Sequence, residues 1–256
     1  MADMPSAEVL IAFARAPNPQ KATGYSYPAL LDAMRADPDE AVVRFRAVLK
    51  DARADVRAWA CLAGAKACGR KFVPTLLEGF GDRSQVVQEM VISGLNEIDP
   101  TGQLLRPLAI QMRQRLLTWD GEGAPRLARL LVMLNDTEAV PYLERYLRRS
   151  DIDAVDRARG SDFVLYLREG LDGILGRIRN HIDHADMAGF CKLAYYVGSP
   201  NVEPALEQLL ATAPDDFCRA VANQTLDALK AARTEGLPPY WYRPFVFKNV
   251  PRLEKR

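Results

Sequence analysis

The chain has 256 residues, 48% hydrophobic and 26% charged, a balance that excludes general disorder and supplies a core without disulfide or metal staples. Its 34 basic and 33 acidic side chains leave a formal charge of +1, so no overall basic field draws it onto nucleic acid or anionic lipid. The four cysteines, Cys61, Cys68, Cys191 and Cys218, contain no CxxC, which fits a reducing compartment and not a disulfide framework.

Met1 to Arg15 lacks a basic leader, and its apolar run Val9 to Ala14 is too short for a secretory or membrane-spanning segment, so cytoplasm is the expected location. Helical spacing dominates from Pro28 to about Arg233 with no convincing period-two run, and the expected fold class is all-α. Asp37-Pro38-Asp39-Glu40 places a capping Asp before a Pro at the first helical position, and Ser199-Pro200 repeats the device. Between Asp55 and Ala63, Val56, Ala60 and Ala63 form a narrow stripe of small and apolar side chains that allows close helix approach. Cys61 and Cys68, on one face of the same helix, read as small core residues. A helix over Phe72 to Phe80 completes that pair. Later pairs are Arg126 to Leu134 with Pro141 to Leu147, and Met187 to Val197 with Pro204 to Leu210; a closing helix, Phe217 to Ala232, follows the cap Asp215-Asp216. The stretch Ala154 to Arg179 fits either one long helix or a distorted pair.

One phrase recurs along this series: Val73-Pro74-Thr75-Leu76, Val140-Pro141-Tyr142-Leu143 and Val202-Glu203-Pro204-Ala205-Leu206 each open an amphipathic run. The intervals are about 65 residues, twice a repeat of roughly 32, and Pro107 falls near the midpoint of the first, opening Pro107-Leu108-Ala109-Ile110. Fixed-period similarity of this length predicts stacked helical pairs. Asp55-Val56-Arg57 with Ala60, followed by Val73-Pro74 and Leu76, resembles the HEAT-like repeats of α-solenoids, particularly short bacterial ones. The resemblance covers most of Asp37 to Arg233 and implies one α-solenoid domain over residues 1–236; it is specific for fold and nearly silent on function.

The tail over residues 237–256 breaks the pattern, with four prolines from Pro238 to Pro251 and five aromatics from Tyr240 to Phe247. The favoured reading is a cap folded over the last helical pair; the other is a docking segment for a partner.

Catalytic signatures are absent: the sequence has no phosphate loop, no GxGxxG after a strand, no GxSxG and no HExxH. The two histidines, in Asn180-His181-Ile182-Asp183-His184-Ala185-Asp186, have i, i+3 spacing with carboxylates nearby, yet no second cluster completes a ligand set, so they read as helix-junction residues and no metal is expected. The resemblance raises three enzyme classes. Iron-dependent hydroxylases of this architecture repeat His-Glu pairs, and this chain has none. Bilin lyases share the repeat, but no residue here marks a pigment site. Alkylpurine DNA glycosylases use a basic concave surface with Trp and a catalytic Asp; Trp59, Trp119 and Trp241 are scattered here and the charge is near neutral.

The Pro phrase also aligns surface positions between copies. Arg129 and Lys192 lie twelve residues before Pro141 and Pro204, and Lys66, Met133 and Tyr196 lie eight before their prolines, with Tyr195 adjacent. The helices carrying them resemble the second of each HEAT-like pair, which in the family lines the concave face. Lys66, Arg129, Met133, Lys192, Tyr195, Tyr196 and Trp241 are therefore the candidate partner-binding residues, and aromatic and Arg anchors on such a face suit protein recognition. The bland reading of each is a solvated or inter-helix packing residue. With no catalytic signature, the expectation is a non-enzymatic, cofactor-free protein that holds another protein, and analogy with small bacterial solenoids makes it either an immunity protein sequestering a toxin or an adaptor. Nucleic-acid binding of the glycosylase type is the competing expectation.

Overall fold

The structure, a computed structural model, describes residues 4–120, 123–180, 184–197, 202–213 and 215–234. All regular structure among them is helical. The chain divides into two compact units, Met1–Leu108 and Ala109–Arg256.

The first unit begins earlier than the periodic pattern does. Helix α1 (Ala7–Arg15) starts at Ser6, whose hydroxyl accepts from the Val9 amide at 3.4 Å, and it buries Leu10 and Phe13. The apolar run near the N-terminus is thus the inner face of an amphipathic helix. A short α2 (Pro19–Thr23) and α3 (Tyr27–Arg35) follow, each with an Asn or Ser cap and Pro in its first turn. Helix α4 (Pro38–Val48) opens as expected: the Asp37 carboxylate accepts from the amides of Asp39 and Glu40, both at 3.2 Å. Asp37→Ala removes both bonds and is expected to lower stability by about 1 kcal/mol, read as an earlier urea midpoint at unchanged slope.

Helix α5 (Ala54–Cys68) is the centre of this unit, packed against α3, α4 and, most extensively, α7 (Gln85–Ile98). Its buried surface is wider than a stripe: Val56, Arg57, Ala58, Ala60, Cys61, Ala63, Gly64, Ala65, Ala67 and Cys68 are all inside. Small side chains make this possible, because neighbours approach the backbone itself. A Cβ on Gly94 of α7 would stand 3.1 Å from the Cys61 carbonyl oxygen, and one on Gly64 would stand 2.4 Å from the Phe72 ring. Between these helices run a 3-10 turn (Gly69–Phe72) and α6 (Val73–Gly79), with Pro74 in its first turn as the repeated phrase requires. Phe45, Phe72 and Phe80 are fully buried, and Phe45 and Phe72 meet edge to face at 5.9 Å. The unit ends in a 3-10 segment (Gln103–Leu108) that contains Pro107, so the α-helix beyond it starts two residues later than the phrase suggests.

The second unit runs through α8 (Ala109–Leu116), α9 (Gly123–Met133), α10 (Val140–Leu147), α11 (Ala154–Asn180), α12 (His184–Val197), α13 (Val202–Thr212) and α14 (Asp216–Thr234). Pro141 opens α10, and Pro204 sits in the first turn of α13. Helix α11 settles the choice left open over Ala154 to Arg179. Gly170 (φ 68°, ψ −163°) interrupts it, giving two helical stretches joined without a loop. With that break counted, the longer helices start at Ala54, Gln85, Gly123, Ala154, His184 and Asp216, spaced by roughly one repeat throughout. The Asp215 carboxylate caps α14, accepting from the Cys218 amide at 2.9 Å. The Ser199-Pro200 cap lies outside the described residues.

Two devices recur. The fourth residue of a long helix reaches back to the carbonyls of the preceding connection: Arg57 Nη1 donates to Asp51 and Ala52 at 2.9 and 3.0 Å, Gln88 to Asp82, and Arg157 to Leu147, Arg149 and Ile152. Other bonds join residues one helical pair apart. Examples are Lys71 to Asp39 (2.7 Å), Arg46 to Thr75 (2.8 Å), Arg35 Nε to the Lys66 carbonyl (3.4 Å) and Arg149 to the Trp119 carbonyl (2.9 Å).

The solvent-exposed residues of the last described helix include Arg219, Asn223, Asp227, Lys230 and Arg233. The tail itself, with Trp241, lies outside the described residues.

Candidate functional site

In the first unit, α5 is so deeply embedded that only a narrow line of side chains reaches its surface: exposed Asp55, then half-buried Trp59, Leu62 and Lys66 at helical spacing. The corresponding line on α7 is Val86, Met90, Ser93 and Glu97, with Val86 53% exposed. Gly94 seats these two helices side by side, close to the Cys61 carbonyl and Ala65.

Aromatic contacts tie α1 and α3 to this face. The Phe13 ring lies 6.2 Å from Tyr27 and 5.8 Å from Trp59, and Trp59 lies 6.0 Å from Phe45. Burial raises the Tyr27 phenol above its usual range, and the negative charge of Glu97 adds to the effect against the opposing charge of Arg35. Among the described residues the Tyr27 hydroxyl, the Trp59 indole N–H and the Lys66 ammonium have no hydrogen-bond partner, and the Oδ1 of Asn96, buried beside Glu97 on α7, also has none. Half-buried groups with idle donors are what a surface awaiting a partner offers. Sequence reading found Lys66 here and passed over Tyr27 and Trp59; the signal was the 59, 62, 66 spacing, visible once the rest of α5 is known to be inside.

In the second unit Arg129 and Met133 lie half-buried on α9, and Lys192 half-buried on α12. Tyr195, only 5% exposed, is a core side chain of α12 and offers little surface to a partner. Tyr196 belongs to α12, but its side chain is outside the described residues, as is Trp241. The register thus places candidates at half-buried positions in both units, with Lys66 in the first and Arg129, Met133 and Lys192 in the second.

The reactive chemistry of the described residues is muted. All four cysteines are buried and unpaired, and burial pushes the thiols of Cys61, Cys68 and Cys191 up to about 12 and that of Cys218 to about 11. Thiols held this way are protonated at neutral pH. A native sample at pH 8 is expected to react with Ellman's reagent at far below one equivalent over minutes, and at four equivalents in guanidinium; rapid labelling of the native protein would contradict the burial. No group of three or more His, Cys, Asp or Glu positioned for a metal occurs among the described residues, and no described helix is long and apolar enough to cross a membrane. His181 lies outside those residues, and His184 begins α12.

No protein-family model matches the chain, and neither does any curated protein.

Proposed function

We propose that this chain is a HEAT-like α-solenoid without enzymatic activity that holds a partner protein on the surface lines of its longer helices. The observation carrying the reading is the α3, α5 and α7 face of the first unit, where Tyr27, Trp59 and Lys66 combine apolar bodies with idle donors. The recurrence of long-helix starts at one-repeat spacing supports the architecture, and the absence of a catalytic motif supports a binding role. A bacterial immunity protein or a pathway adaptor, working in the cytoplasm, fits this reading. The first would be encoded beside its toxin and would neutralise it one to one.

The test places a photo-crosslinking amino acid at Leu62 and, in a second variant, at Val43 of α4, which is 59% exposed. Illumination in the native cell is expected to give one protein adduct of defined mass from position 62 and none from position 43. Equal adducts from both positions, or an adduct to nucleic acid, would overturn the proposal.

A further inference from the structure

We draw no further inference here: the strongest candidate, the open groove where Leu210 of α13 meets Asp216, Arg219, Ala220 and Asn223 of α14, has its two charged side chains already bonded to each other, Arg219 to Asp216 at 2.6 Å, and nothing in the structure shows what covers it.

Discussion

Gly64→Ala is expected to destabilise the protein even though Ala is the better helix former. Relief of the glycine's helix penalty favours the variant by about 1 kcal/mol. Against it, the new methyl would sit 2.4 to 2.9 Å from three atoms of the Phe72 ring, which is fully buried and locked edge to face on Phe45. Such a ring has nowhere to swing, and overpacking of this kind costs about 1–3 kcal/mol. A net loss of up to about 2 kcal/mol follows, or more if α5 and α6 must separate. Gly176→Ala is the control with the opposite sign. No atom lies within 4 Å of the added methyl in α11, so the helix gain of about 0.5–1 kcal/mol is kept. Urea unfolding of both variants checks the pair, and a stabilised Gly64→Ala would refute the close approach of Phe72 to α5.

The larger effect belongs to Asp82. Removing its carboxylate by Asp82→Ala leaves the Arg57 guanidinium buried without a counter-ion and costs about 3–5 kcal/mol. It also strips the Ser84 amide of its acceptor at 2.8 Å. The double variant Arg57→Met, Asp82→Leu is expected to recover much of the loss, because neither charge then needs solvation. The pair has a pH signature of definite sign. Hydrogen bonds from Arg57, helped by the Ser84 amide and opposed by burial, hold the Asp82 carboxyl below its usual range. A depressed folded pKa contributes stability that is complete above the unfolded value of about 3.9 and fades as pH falls through the lower folded value. The double variant should therefore lose less stability than the parent on acidification below about pH 4. Equal acid sensitivity would show that Asp82 contributes nothing to the acid limb.

How much of this was legible beforehand depended on whether a residue acts on its own neighbours in sequence. Asp37 before Pro38 is a local device, and it caps α4 as read. The prolines at 74 and 141 are local too, because a missing N–H matters only in a first helical turn. Cys61 and Cys68 were placed inside by spacing alone, correctly. Helix α5 was read too narrowly, since its outer positions are Ala and Gly, whose burial depends on what stands opposite and leaves no hydrophobic trace. Gly170 hid a helix boundary because a single left-handed residue turned the chain where a Pro or an Asp cap was awaited. The surface candidates came from a register and located Lys66, Arg129 and Lys192 at half-buried positions, but it could not tell that Tyr195 faces inward.

The bonds between successive helical pairs also govern how the chain assembles. Those described above join residues 25 to 32 positions apart, small separations in a chain of 256 residues, and each closes within its own unit. Contacts of such short reach require little loop closure before they are rewarded, which favours rapid folding from a local start. Trp59 reports on the first unit and Trp119 on the second, so stopped-flow fluorescence of single-tryptophan forms can follow each nucleus separately.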